Sequence, residues 1–172
     1  MLIVETGEGR PDAESYCSLD FANIYLARRG LTLWRNSMDD DQREAALRRA
    51  TDYMLEKFRS GWRGNRTMQF QRLDWPRSGA FVDGFEIAAN EIPLGIQEAC
   101  AALAFKAAAG DLAPDAQATQ SGIKSKQVGD IKIEYSEGST PINESYRSIE
   151  MMVAPYLQRA SGSIGSILIQ RA

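Results

Sequence analysis

The chain contains no histidine. That absence removes the commonest general base, the commonest metal ligand and the side chain that most often changes charge near neutral pH. Ser-His-Asp and Cys-His arrangements are thereby excluded, and a zinc site would have to be built from acids and two cysteines. Those cysteines, Cys17 and Cys100, are far apart in sequence and form no Cys-x-x-Cys pattern. They read as reduced residues of an intracellular protein, with Cys100 on a buried helix face. No apolar run approaches the ~20 residues needed to cross a bilayer, and the first residues lack a basic leader. A soluble chain made in the cytoplasm, without a membrane partner, is expected. Phosphate-binding glycine motifs are missing too: neither Gly7-Glu8-Gly9 nor Arg63-Gly64-Asn65 belongs to a GxGxxG or GxxxxGK[ST] pattern. The carboxylate pairs Asp39/Asp41 and Asp130/Glu134 read as solvated charge at element ends. Asp39-Asp40-Asp41 also lacks the alternation and glycine of a calcium loop. No catalytic residue, metal or cofactor is expected, and the chain does not read as an enzyme.

What is present is concentrated in one stretch. Lys57–Arg77 carries the bases Lys57, Arg59, Arg63, Arg66, Arg72 and Arg77 against the single acid Asp74, with Trp62, Phe70 and Trp75 interleaved. Arginines attract phosphate and aromatic rings offer stacking faces, so the stretch reads as a nucleic-acid contact, a subunit contact, or both. A solvated surface whose tryptophans plug the edge of the core is the plainer alternative. Arg59, Arg63, Arg66 and Arg72 are the candidate contact residues. Trp75-Pro76, where proline forces an extended or turn conformation on Trp75, is read as the structural base of the loop, packed near the Ile92–Ala107 helix. Residues 28–77 hold 12 Lys/Arg and 7 Asp/Glu, a balance of +5, while the rest hold 8 and 16, a balance of −8. A chain divided in this way can pair head to side with copies of itself, or turn a basic face toward DNA.

Hydrophobic spacing predicts a mainly α fold: a small bundle of about four helices with a long central loop and β-hairpin and extended terminal arms. Leu2–Val4 suits a short strand. Ser18 is the N-cap of a first helix closed by Gly30, and Asp39-Asp40-Asp41 opens a second that runs to about Phe58. The loop 59–91 follows, with Asp83-Gly84 as the turn of a hairpin between Ala80 and Ile87. Pro93 starts the central helix and Gly110 ends it. A strand or hairpin is expected over Ile123–Tyr135, with Gly129-Asp130 as its turn. The last helix spans Asn143–Leu157 and is shortened near Ala154 by Pro155. The chain reads as one domain, with a helical core over 15–112, a strand-and-helix part over 113–160 and a tail over 161–172. In that tail Ile164, Ile167, Leu168 and Ile169 follow a Gly/Ser lead, as in a docking arm.

Three pieces in order carry a family resemblance: LIVETGEGRPDAESYCSLDFANIYLARRG, EAALRRATDYMLEKF and LDWPRSGAFVDGFEIAANEIPLGIQEACAALAFKAAAGDL. They resemble the phage DnaT-like family described as single-stranded-DNA-binding proteins, over about residues 2–112 and more loosely through KSKQVGDIKIEY. In helix order that family is similar to head–tail connector (adaptor) proteins of long-tailed phages. The resemblance implies a structural virion protein: a ring, typically dodecameric, at the neck between portal and tail. Genomic double-stranded DNA would pass nonspecifically through it, and the tail residues Ile164, Ile167, Leu168 and Ile169 would dock on the portal. A tail-side stopper or terminator protein would be the further partner. The alternative is a replication protein that coats single-stranded DNA and uses Trp62, Phe70 and Trp75 as stacking platforms.

Overall fold

The computed structural model describes residues 1–113 and 146–158, together with the backbone of two strands at 125–128 and 131–134. The fold is mainly α. Helix α1 (Leu19–Ala27) begins where Ser18 Oγ accepts the Phe21 amide at 3.1 Å, as the cap pattern predicts. A single turn, α2 (Leu33–Asn36), follows and buries Trp34, whose indole N–H donates to Asn23 Oδ1 at 2.8 Å. Nothing in the hydrophobic spacing announces a helix so short. Asp39 and Gln42 form a capping box at the head of α3 (Asp40–Phe58), which accounts for the acidic run there.

Helix α4 (Leu94–Ala109) is the centre of the molecule. It starts directly after Pro93 and buries Ile96, Ala99, Cys100, Ala101, Leu103, Ala104 and Ala107. That set covers more than one stripe, because α1, α3 and α5 (Arg147–Val153) all pack against it. Its alanines let the neighbouring backbones come close. Helix α5 stops at Val153 and continues as a 3-10 turn over Ala154–Tyr156, as expected where Pro155 removes a donor. Residues 143–145 of the expected helix lie outside the described residues.

The N-terminal arm is extended but fastened to the body. Val4 pairs with Ser15 in an isolated parallel bridge, so the expected strand shrinks to one contact, made within the chain itself. The buried Glu5 carboxylate accepts the amides of Gly7 at 2.9 Å, Gly9 at 2.9 Å and Arg10 at 2.7 Å, which satisfies a group that would otherwise be costly to bury. Gly7, at φ 102, presses so closely on the Asn90 carbonyl that no Cβ fits. Farther out, the Met1 ammonium lies 3.2 Å from Glu44, and Arg48 lies 2.9 Å from Glu14.

The hydrogen bond from Arg48 holds Glu14 below its ordinary carboxylate value of 4.5. A depressed carboxylate stabilises the folded form above its unfolded value and loses that contribution as pH falls through the folded one. Acidification below about 4.5 is therefore expected to loosen the N-terminal arm first. The Ile3 amide, which donates to Glu14 at 3.1 Å, is the reporter. Its NMR shift should move before those of α4, and movement of both together would contradict the assignment.

Among the described residues there are three two-stranded antiparallel sheets. Strands β1 (Asn65–Arg66) and β2 (Arg77–Ser78) close the loop on itself. Strands β3 (Phe81–Val82) and β4 (Phe85–Glu86) form the expected hairpin, with φ 53 at Asp83 and φ 87 at Gly84 as a tight two-residue turn demands. Strands β5 (Ser125–Val128) and β6 (Ile131–Glu134) pair with Val128 opposite Ile131. The intervening Gly129-Asp130 and the tail residues Ile164, Ile167, Leu168 and Ile169 lie outside the described residues.

Candidate nucleic-acid interface

The loop 59–91 is held from inside by polar side chains. Asp74 is buried; its carboxylate accepts Arg59 Nε at 3.1 Å and the Trp62 indole N–H at 3.1 Å, while its amide donates to Tyr16 Oη at 3.0 Å. Arg77 reaches back and donates to the carbonyls of Arg63 at 2.6 Å, Gly64 at 2.6 Å and Asp74 at 3.1 Å. Burial lowers the Arg77 guanidinium's pKa and the Asp74 charge opposes that shift. Burial also pushes the Tyr16 hydroxyl up, with Asp74 adding to the effect. Gln71 orders the tip: its amide donates to Leu73 O at 2.9 Å and Pro76 O at 3.1 Å, and its Oε1 accepts the Met68 amide at 2.9 Å.

Both tryptophans of the loop point inward. Trp62 and Trp75 are 1% and 0% exposed and meet edge to face at 6.0 Å, and Trp75 repeats the contact with Tyr156 at 6.0 Å. Tyr156 in turn lies over Gly95 of α4, so Trp75 reaches the central helix through that ring. Pro76 is buried beside it, joined by a cis peptide. Neither tryptophan is available as a stacking platform, which corrects that part of the single-strand reading: a solvated base cannot reach a ring sealed in the core. The two indoles differ in one respect. The Trp62 N–H is donated to Asp74, whereas the buried Trp75 N–H has no partner among the described residues. Trp62→Phe is therefore expected to cost about 1–3 kcal/mol more than Trp75→Phe in urea unfolding, although each loses the same ring volume. Equal losses would mean that the Asp74 contact contributes nothing.

The last described residues are sewn to the same base. Trp62 pairs with Leu157 in an antiparallel bridge, Gln158 N donates to Gly61 O at 2.7 Å, and Arg63 N donates to Tyr156 O at 2.9 Å. The Arg63 side chain joins this seam to the hairpin, donating to Leu157 O at 2.9 Å and Phe81 O at 2.5 Å. Of the four arginines singled out from sequence, Arg63 is thus mostly committed within the fold. Arg59 leans on Asp74 yet keeps 58% of its side chain in solvent, and Arg72 is exposed with its nearest acid, Asp52, 4.0 Å away. Arg66, on β1, is exposed and without an ion pair among the described residues.

The aromatic surface of the loop lies elsewhere than the tryptophans. Phe70 is 77% exposed and Phe85 78%, with Phe81 and Met68 also largely open. Phe81 and Phe85 were legible only as the apolar runs of a hairpin. The signal for their exposure is the shortness of the strands: a two-residue ladder has no room to bury both. Such surfaces combine rings for stacking with guanidinium groups for phosphate.

Among the described residues no group of acids and cysteines is arranged to hold a metal ion, and no helix is long and apolar enough to cross a membrane. Neither the curated proteins nor the solved structures include a match to the chain. The family described as "Putative DnaT-like ssDNA binding protein" matches residues 1–172, and the chain belongs to that family.

Proposed function

We propose that the chain binds single-stranded DNA without sequence preference, using the outer face of the loop 59–91. The observation that carries this reading is the exposure of Phe70 and Phe85 on a loop that also presents Arg59, Arg66 and Arg72. Bases stack on the phenylalanines, and the arginines take the phosphates. Membership of a DnaT-like family along the whole chain supports it. The role is one of binding, with no reaction catalysed and no cofactor. Anisotropy titration with a labelled oligothymidylate tests it. Binding is expected at low salt, with a log–log salt slope of roughly −2 to −3 if three or four phosphates are neutralised. A slope near zero, or no binding at low salt, rejects it.

A second reading follows from the burial of Trp62 and Trp75, which leaves the loop fewer stacking rings than its sequence promises. Exposed Phe81, Phe85, Phe70 and Met68 also fit a protein contact. On this reading the chain is a head–tail adaptor subunit of a phage virion. It would form a ring, dodecameric by resemblance, between portal and a tail-side stopper or terminator protein, extending the channel for double-stranded DNA. The charge split supports head-to-side pairing of copies. Light scattering and negative-stain microscopy of the purified chain decide between the readings: closed rings favour the adaptor, and a monomer that binds oligonucleotide favours the first.

A further inference from the structure

The N-terminal segment flanks the tip of the loop and brings to it an arginine from outside the arginine-rich stretch. In sequence Arg10 is the one base of residues 1–27, among the acids Glu5, Glu8, Asp12, Glu14 and Asp20, so composition points away from it. The fold places it otherwise. Residues 5–10 turn on themselves because the buried Glu5 carboxylate accepts the amides of Gly7, Gly9 and Arg10. This turn is fastened to the loop at three points. Arg72 N donates to Arg10 O at 3.0 Å, so the two arginines share a backbone contact. Gly9, at φ 72, packs on Met68, where an added Cβ would stand 2.8 Å from Met68 Cγ. Gly7 meets Asn90 near the far end of the loop. Arg10 is thereby set beside Arg72 and against the segment 68–72 that exposes Phe70.

The Arg10 side chain is held by Asp12. Its Nε donates to Oδ1 at 3.0 Å and its Nη2 to Oδ2 at 3.1 Å. That two-pronged geometry is the one a guanidinium offers to two oxygens of a phosphate. The pair stands in water, with 40% of one side chain and 51% of the other exposed, so screening leaves it weak and easily opened. Of the acids that act on Arg10, Asp12 acts most strongly, ahead of Glu8 and Glu5. The backbone beneath does not depend on the pair, since the Arg10 amide is bonded to Glu5 and its carbonyl to Arg72. We propose that Arg10 is a further phosphate-binding residue of the single-strand site and that Asp12 is its competitor, holding the guanidinium fork until a phosphate of the strand takes the carboxylate's place. The inference rests on the single-strand reading of the loop, and it extends the basic surface from Arg72 onto the N-terminal turn.

The test is a titration of the full chain with labelled oligothymidylate over a range of salt, comparing wild type with Arg10→Ala, Asp12→Asn and the double variant. Arg10→Ala is expected to weaken binding several-fold at low salt and to flatten the log–log salt slope by about 0.7, the share of one phosphate on a single strand. Asp12→Asn keeps the size of the side chain and removes its charge, and it should tighten binding several-fold. In the double variant that gain should largely vanish, because the fork it releases is gone. Both side chains lie at the surface, so melting temperatures should stay at the wild-type value; should an Arg10 variant disturb the turn, Asp12→Asn alone decides, and unchanged affinity there would overturn the proposal. Wild-type affinity and slope in Arg10→Ala, or an Asp12→Asn gain as large without Arg10 as with it, would overturn it while leaving binding by the loop in place. A wild-type chain that binds no strand at low salt would overturn both.

Discussion

Replacing Asp74 by alanine is expected to destabilise the protein by about 3 kcal/mol and to lower its melting temperature by roughly 6–12 °C. The carboxylate is the only acid of the arginine-rich stretch and it lies inside, where it accepts the Trp62 indole N–H and Arg59 Nε. Alanine removes both acceptors. The Trp62 N–H is then buried without a partner, and the guanidinium of Arg77, itself 9% exposed, loses the negative charge beside it. Asparagine keeps one acceptor and should lose about half as much. Arg59→Ala should cost under about 1 kcal/mol, because that side chain is more than half in water and its ion pair is screened. The ranking Asp74→Ala, then Asp74→Asn, then Arg59→Ala is the signature of an inward-facing scaffold. An Asp74→Ala variant that melts with the wild type would mean that the loop is held by its tryptophans alone.

The second large effect concerns binding. Phe70→Ala with Phe85→Ala is expected to weaken oligothymidylate affinity by 10-fold or more, since base–aromatic stacking contributes about 1–3 kcal/mol per base. The fold should be unaffected, because both rings stand in solvent. Arg66→Glu with Arg72→Glu should act differently. It should weaken binding at low salt and flatten the salt slope by roughly 1–2, with little change at high salt. Two variants of one loop, one salt-independent and one salt-dependent, separate stacking from phosphate attraction. If the phenylalanine pair binds like the wild type while the arginine pair does not, the rings serve a protein contact and the adaptor reading gains.

Much of the helical frame is legible in the sequence because its signals are local. Ser18 and Asp39 cap the helices they precede, Asp83-Gly84 turns its hairpin, and Pro155 ends α5 where a missing donor must end it. The helix α2 is too short to show a period, and its reason lies in Trp34, anchored by Asn23 from the helix before. The loop is harder to read. Its composition shows arginines and rings in plenty but not which of them face inward. Asp74, Gln71 and Arg77 look like any surface polar residues until their partners, tens of residues away or across the turn, are in place. Trp62 and Trp75 show the same difficulty from the apolar side: the residues most attractive as stacking platforms are the ones the core claims, and the less conspicuous Phe70 and Phe85 remain outside. Ser15 meets Cys100 only because the segment before α1 crosses α4, which no spacing rule reveals.

Photocrosslinking tests the central claim most directly, because it reports which residues touch the strand. The full chain would be irradiated with an oligonucleotide carrying 5-iodouracil, digested and mapped by mass spectrometry. Adducts on Phe70 or Phe85, competed away by unlabelled single strand and absent from the alanine pair, are the predicted result. Adducts confined to other parts of the chain, or none under conditions where the strand is bound, would contradict it.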